Sequence, residues 1–307
     1  MTFSQSTLSI TVNYNRPADT AQAVASLARM VDADFQIVVI DNGSTDGSLA
    51  LLRALPYAVD VIASPVNLGF AGGFNLGLRY GLERGFATLL AINNDVIVAP
   101  DMLRNLNVGL QPGVGIVAPT IYYHGRPDTI WSSGFRCHPL TLEMTGGKRG
   151  QEEAPGFLAT FDVDYLLGCC MLFERDALMK TCLFDEQFYL YYEDLDLSLR
   201  MRRHGLRLCT IPSAVMWHKV AGSSGLDSPL RTYHMARSSI LFFRKHARGW
   251  QIPFVIGSRS ASAIRKAIAF MRHKNRNLLS SYIQGLRDGW SGKLDDMSYR
   301  HQEVSSQ

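Results

Sequence analysis

Two rhythms of apolar residues alternate through the first part of the chain. Leu8–Asn13 (LSITVN), Gln36–Ile40 (QIVVI), Val59–Ala63 and Thr88–Ile92 are short apolar runs, and each reads as a strand. Between them, Ala18–Met30, Ser48–Leu55 and Gly72–Arg84 carry apolar residues at helical spacing. A run that stays apolar without alternating, such as QIVVI, belongs to a strand covered on both faces. Strand and helix taking turns at this spacing predicts an α/β fold, a mostly parallel, doubly wound sheet with helices on both faces. The pattern then changes. Gly113–Gly168 is rich in Gly, Pro and aromatics, with weak strands such as Gly115–Pro119, and predicts irregular structure with short antiparallel pieces. Asp176–Cys182 and Glu193–His204 read as helices, and Arg207–Ile211 and Ala214–Trp217 as strands. From about Pro229 the pattern is helical and basic, which predicts a body over 1–228 and a helical C-terminal region over 229–307.

A chain of 307 residues suits one main domain with an appendage. The net charge of +4 hides an asymmetry: residues 231–307 hold 14 Lys/Arg against 4 Asp/Glu, and residues 1–230 hold 17 against 23. An acidic body with a basic tail points to an anionic partner for the tail. Arg231–Lys245 and Ile264–Arg276 combine apolar helical spacing with Arg/Lys, and tryptophans stand at Trp250 and Trp290. Such segments suit an anionic membrane surface, and equally the solvated face of ordinary packing helices. No recognition motif accompanies the charge, so nucleic acid is not the expected partner. The five cysteines are odd in number and form no CxxC pair, which predicts buried reduced thiols. No run approaches the roughly 20 apolar residues of a spanning helix, and no signal-peptide pattern opens the chain. The expected place is cytoplasmic, peripheral on the inner face of the plasma membrane if the tail binds there.

In an open parallel sheet, ligands bind beyond the carboxyl ends of the strands. Three polar clusters fall there: Asn13-Tyr14-Asn15 after the first strand, Asp41–Asp46 (DNGSTD) after the second and Asn93-Asn94-Asp95 after the fourth. Each alone is what a turn is made of. Their convergence on one rim points to a polar ligand. The Asp41 carboxylate can bond a ribose hydroxyl or a base N–H. Asn67–Asn75 (NLGFAGGFN) is glycine-rich and opens a helix, so its backbone N–H groups can approach an anion. It is neither a Walker motif nor GxGxxG. Asn93-Asn94-Asp95 supplies one carboxylate and amide oxygens, a set suited to a hard divalent ion that keeps waters and is shared with substrate phosphates. Such an ion would neutralise charge on a diphosphate leaving group.

TVNYNR (Thr11–Arg16), VVIDNGSTDGS (Val38–Ser48), NLGFAGGFNLGL (Asn67–Leu78), INNDV (Ile92–Val96), Gly168–Leu172, FDEQFYLYYEDLDLSLR (Phe184–Arg200) and Trp217-His218 follow one another in this order. With these motifs the chain resembles the family 2 glycosyltransferases of the GT-A fold, and within them the bacterial rhamnosyltransferase-like branch. The resemblance covers about residues 8–225. It implies a Rossmann-like nucleotide-sugar half and an acceptor half in one domain. It also implies inverting transfer of a sugar, rhamnose from dTDP-rhamnose in that branch, to a hydroxyl of a growing surface polysaccharide such as O-antigen or of a lipid-linked oligosaccharide. Asp41 then corresponds to the carboxylate that holds the base, and Asn13 and Asn15 share its rim. Asn67, Gly69, Gly72, Gly73 and Asn75 correspond to the loop over the nucleotide. Asn93-Asn94-Asp95 corresponds to the family's DXD, with Asp95 the metal ligand and Asn94 facing the ribose or the metal. Asn93 departs from the usual first Asp, which leaves one carboxylate and predicts weaker metal binding. The ion expected is Mn²⁺ or Mg²⁺. His218 stands where a histidine of several relatives completes the metal site, and an imidazole favours Mn²⁺.

Glu193-Asp194 corresponds to the family's ED motif and makes Asp194 the candidate general base, which must reach the acceptor hydroxyl. The same acids suit a helix N-terminus, and Asp196 and Arg200 suit an i,i+4 pair. The run Phe188–Tyr192 suits core packing or a sugar platform. Tyr191, Tyr192 and Trp131 are the acceptor-side candidates. Two other classes use similar parts. A sugar-nucleotide pyrophosphorylase would want a glycine-rich loop with Arg/Lys near its N-terminus, where only Arg16 stands. An inactive sugar-binding or scaffold protein would not need Asp95, Asp194 and His218 together.

Overall fold

The computed structural model describes residues 6–31, 33–147, 150–151, 159–219 and 228–292. Its first half is the expected alternation: β1 (Thr7–Asn13), α1 (Pro17–Leu27), β2 (Phe35–Asn42), α2 (Ser48–Arg53), β3 (Val59–Ser64), α3 (Gly69–Glu83) and β4 (Thr88–Ile92). β1 lies between β2 and β4, β3 flanks β2, and all these pairs are parallel. In β2, Ile37 and Val39 enter the core on one face of the sheet, and Val38 and Ile40 the core on the other. Burial on both faces is why the run shows no polar alternation.

The second half extends the same sheet. It comprises β5 (Val96–Val98), α4 (Met102–Gly109), β6 (Val114–Tyr123), β7 (Arg126–Ser132), β8 (Arg136–Cys137), β9 (Met144–Thr145), β10 (Phe161–Val163), β11 (Cys170–Glu174), α5 (Arg175–Thr181), α6 (Glu193–Arg203) and β12 (Arg207–His218). The strand order is β10-β12-β6-β11-β4-β1-β2-β3, with β5 on β12 and β7 on β6. β11 runs antiparallel between β4 and β6, whereas β6 and β12 are parallel. The stretch expected to be irregular therefore holds a ten-residue strand inside the main sheet. Gly115 and Pro119 interrupt its apolar run. Pro119, which has no N–H to give, falls between the positions paired with β11 (116 and 117) and those paired with β7 (121 to 123). The two strand-like pieces at 207–211 and 214–217 are one strand, β12, whose register shift between Ile211 and Val215 takes up Pro212.

Three helices close the described chain: α7 (Pro229–His246), α8 (Ile252–Arg272) and α9 (Arg276–Ser291). α7 starts just past the expected boundary at residue 228, yet it is embedded in the body. Phe242 and Phe243 share a third core with Tyr165, Phe188, Leu195 and Leu199. The buried Arg237 donates to the Gln187 carbonyl (2.9 Å), and Ser238 Oγ donates to the Leu190 carbonyl (2.9 Å). α8 buries only Val255 and turns most of its length outward. Among the described residues no helix is long and apolar enough to cross a membrane.

Candidate active site

Beyond the carboxyl ends of β1, β2 and β4 the polar clusters join into one network. Asn13 and Asp41 are register partners on neighbouring strands. Asn13 Nδ2 donates to Asp41 Oδ1 (2.9 Å) and to Ser44 Oγ (3.0 Å), and Ser44 donates to the same carboxylate oxygen (2.6 Å). Among the described residues no hydrogen bond uses Asp41 Oδ2, which leaves it for a ligand. Asn15 accepts from the Thr45 N–H (2.8 Å). Thr20, in α1, donates to Asn13 Oδ1 (2.7 Å) and accepts from Asn94 Nδ2 (2.9 Å), so it ties the first cluster to the third. Asn42 organises the loop before α3: it accepts from the Leu68 N–H (3.0 Å) and donates to Asn67 Oδ1 (3.1 Å) and the Gly69 carbonyl (3.0 Å). Thr20 did not stand out in the sequence, and Asn42 did so only as a member of the DNGSTD cluster. The one signal for Thr20 was a hydroxyl on the buried face of an amphipathic helix.

β5 pairs with β12 so that Val96 lies opposite His218. That register brings Asp95 to the end of β12. His218 Nε2 lies 3.0 Å from Asp95 Oδ1, and the Lys219 N–H donates to the Asp95 carbonyl (3.0 Å). Both side chains are about nine-tenths buried, with 10% and 9% exposed. Burial alone would raise the Asp95 pKa, but the hydrogen bond and charge of His218 outweigh it and hold the carboxyl below its usual value. For His218 burial acts downward, and the Cys169 and Asp95 side chains push the imidazole up to about 10. The pair is therefore ionic near neutral pH, and a metal ion bound there would have to displace the imidazole proton. Trp131, expected on the acceptor side, stands edge-on to His218 with ring centroids 4.6 Å apart. At the outer edge Lys219 Nζ is held by Asp19 (2.7 Å) and Gln22 (2.6 Å), and Arg16 pairs with Asp19 (3.3 Å).

A divalent ion fits these groups only in part. Asp95 and His218 present one carboxylate and one imidazole side by side, and His218 Nδ1 is buried without a hydrogen-bond partner. Among the described residues no group of three or more His, Cys, Asp or Glu could hold a metal. Among the described residues Asp95 and His218 can supply two ligands, and a substrate phosphate and water would have to supply the rest.

The base candidates reach the rim through a strained turn. Gly69 sits at φ +72°, and a Cβ there would lie 2.5 Å from the Tyr189 carbonyl oxygen, which accepts from the Phe70 N–H at 2.7 Å. Only glycine permits this approach. Tyr189, Tyr191 and Tyr192 follow at φ +42°, +66° and +72°, conformations that bulky residues seldom adopt. This turn delivers Glu193 and Asp194 to the start of α6. Asp194 Oδ2 accepts from the Gly168 N–H (2.9 Å), and Oδ1 from the Leu195 N–H (2.8 Å). Burial raises the pKa of both acids, and the Asp194 charge raises Glu193 further. Glu193 is buried with Oε2 unpartnered, while half-buried Asp194 is held by two N–H groups. Gly168 and Cys169 connect the two halves: the first donates to Asp194, and the second accepts from the Asn93 N–H (2.9 Å).

Other expected residues fall elsewhere. α3 begins at Gly69, three residues before the expected Gly72. Gly72 and Gly73 are therefore buried inside a helix, and the loop ahead of α3 narrows to Asn67–Gly69. Asn75 is buried too, and its amide is used by the chain itself: Nδ2 donates to the Phe184 carbonyl (2.9 Å) and Glu186 (2.8 Å), and Oδ1 accepts from the Phe184 N–H (3.0 Å). Tyr192 packs its ring on Phe242 and Phe243, with centroids 5.4 and 6.3 Å away, which is core packing and not an open sugar platform. Tyr191 is half-buried. The Asp196–Arg200 pair forms at 2.8 Å, and Asp196 also meets His246 of α7 at 2.7 Å. The cysteines are free; Cys169, Cys170 and Cys209 are buried, and Cys182 is exposed.

The family model described as Glycosyl transferase family 2 matches residues 9–182. The N-acetylglucosaminyl-diphospho-decaprenol L-rhamnosyltransferase of Mycobacterium tuberculosis is 26% identical over 286 residues, covering 83% of this chain and 90% of that one. A dTDP-rhamnosyl transferase of Shigella flexneri is 21% identical, covering 92% of this chain and 95% of that one. Among solved structures, a mannosyltransferase from Pyrobaculum calidifontis in complex with GDP-Man and Mn²⁺ superposes with a TM-score of 0.56 at 14% identity, over 99% of this chain and 80% of that one.

Proposed function

This chain belongs to glycosyl transferase family 2 and is a glycosyltransferase, and from that premise we propose that it transfers rhamnose from dTDP-rhamnose, with inversion, to a hydroxyl of a lipid-linked glycan. One observation carries the reading: the polar strand-end rim and a candidate base are joined through the consecutive residues Gly168 and Cys169. The donor and acceptor classes come from the relatives' names, one for dTDP-rhamnose and one for a diphospho-decaprenol glycan.

In this mechanism Asp41 Oδ2 accepts from the donor's base or ribose, and the Asn67–Gly69 loop lies over the nucleotide. Arg16 and Lys219, both paired with Asp19, would offset charge on the diphosphate. Asp95 and His218 would hold a divalent ion, Mn²⁺ or Mg²⁺, which would supply countercharge to the diphosphate. Asp194 takes the proton of the acceptor hydroxyl as its oxygen attacks the anomeric carbon from the face opposite the diphosphate. The bond from that carbon to the phosphate oxygen breaks, the nucleoside diphosphate leaves and the configuration inverts. Glu193 lies buried beside the base, where burial and the Asp194 charge raise its pKa and so lessen the negative charge the acceptor meets.

The acceptor class gives the outward helices a role at an anionic membrane surface. Residues 228–287 hold 12 Lys/Arg and no Asp/Glu, and α8 exposes Ile256, Ile264, Ile268 and Met271. A basic helix with an apolar outer face is what lies in a bilayer interface.

The test is nucleoside diphosphate release from a panel of sugar donors, with and without Mn²⁺, in the presence of a lipid-linked acceptor. Release from dTDP-rhamnose that depends on the ion is expected. No release from any donor would overturn the reading.

A further inference from the structure

A cavity of ≈ 450 Å³ opens between α7, α8 and α9. Its volume lies within the range of small-molecule sites, roughly 300–1,000 Å³. Ile240, Leu286 and Trp290 give it an apolar wall, Arg259, Lys266 and Arg287 line it with cations, and no Asp or Glu lines it. Arg259 reaches Glu143 at 2.9 Å, but its Nε is buried without a partner. Lys266 Nζ sits 5.6 Å over the Tyr282 ring, and among the described residues neither Lys266 nor Arg287 meets a carboxylate. Cations gathered on an apolar wall are stabilised by a phosphate, which takes several charge-assisted hydrogen bonds at once.

The cavity also has a defined place. Tyr192 lines it, and Tyr192 immediately precedes Glu193 and Asp194. The Tyr192 side chain interacts with both the Arg259 guanidinium and the Asp194 carboxylate. Trp290, also on the cavity wall, is 68% exposed, so an apolar ligand chain could leave past it.

We propose that this cavity binds the lipid phosphate of the acceptor, with the phosphate oxygens on Lys266, Arg259 and Arg287 and the first carbons of the lipid chain on Ile240, Leu286 and Trp290. The assignment to the acceptor rests on the proposed transfer to a lipid-linked glycan; the cavity's chemistry does not.

The probe is farnesyl diphosphate, titrated into the full-length protein and followed by calorimetry. Its arms use inorganic diphosphate, farnesol and short-chain phosphatidylglycerol as competitors, and dTDP binding is measured separately. Farnesyl diphosphate should bind about tenfold or more tighter than inorganic diphosphate or farnesol, because both the cations and the apolar wall are used. Lys266→Ser and Arg287→Ser should each weaken it about fivefold or more while dTDP binding stays unchanged, which also shows that the variants fold. Unchanged affinity in both variants would overturn the proposal, as would displacement of farnesyl diphosphate by dTDP. Phosphatidylglycerol binding as tightly as the probe would make this a bilayer headgroup site and overturn the acceptor assignment. If dTDP fails to bind while farnesyl diphosphate behaves as expected, the functional reading fails and the cavity stands. The reverse result sinks the cavity alone.

Discussion

Asp194 accepts two backbone N–H groups, which alone would hold a carboxylate low, yet its burial raises the pKa above the usual value. A general base must be ionised. Transfer should therefore fall as pH drops through a pKa above the roughly 3.9 of a free aspartate, and a pH–rate profile would show an acid limb displaced upward. Thr20 makes a second prediction. Thr20→Val keeps shape but strips Asn13 and Asn94 of a shared partner. A loss of about 1–3 kcal/mol in denaturant unfolding is expected, with weaker dTDP binding in titration. Much of the site was legible at this scale because carboxylates and amides clustered at strand ends, where a core strand has no use for them. Thr20 was not, since a single threonine in a helix looks like packing. Asn75 sat inside a recognisable motif, but only the fold shows its amide turned toward Phe184 and Glu186.

Among the elements, the turn from Tyr189 to Tyr192 sets the position of the base. Gly69→Ala would drive a Cβ against the Tyr189 carbonyl oxygen and force a left-handed residue other than glycine. It should cost on the order of 1–3 kcal/mol of stability and lower kcat more than it weakens dTDP binding, as paired kinetics and titration would show. Behind the turn, α7 grips α6 through Asp196. Burial would raise that carboxyl, but His246, Arg200 and Lys245 outweigh it and hold it at about 2. A depressed carboxylate contributes stability above its unfolded pKa and loses it as pH falls toward the folded one. Asp196→Asn should therefore lower unfolding free energy by about 3–5 kcal/mol at neutral pH, with the gap from the parent protein closing between about pH 4 and pH 2. The parallel half of the sheet was legible because its strands are continuous apolar runs. β6 was legible only as the weak piece Gly115–Pro119, because Gly115 and Pro119 break its pattern and its ten-residue length shows only in its pairing.

For the whole molecule, the charge asymmetry seen in composition becomes geometry. α8 has no acidic residue and leaves its apolar face outward, while α7 of the same basic region is sealed in the core. Composition alone could not separate those two fates, since both helices combine Arg/Lys with apolar spacing. The protein should sediment with anionic vesicles and release them as salt rises and the Debye length shrinks from about 10 Å at 0.1 M to about 3 Å at 1 M. Ile264→Glu combined with Ile268→Glu should abolish sedimentation and leave dTDP binding intact. The central claim is that one site holds the donor at the strand-end rim and presents the acceptor to Asp194. The most direct test is the rate of acceptor-dependent dTDP release from dTDP-rhamnose by Asp194→Asn, at donor concentrations shown to saturate it. A loss of about 10²–10⁴-fold with donor affinity retained is the predicted result, and release at close to the parent rate would contradict it.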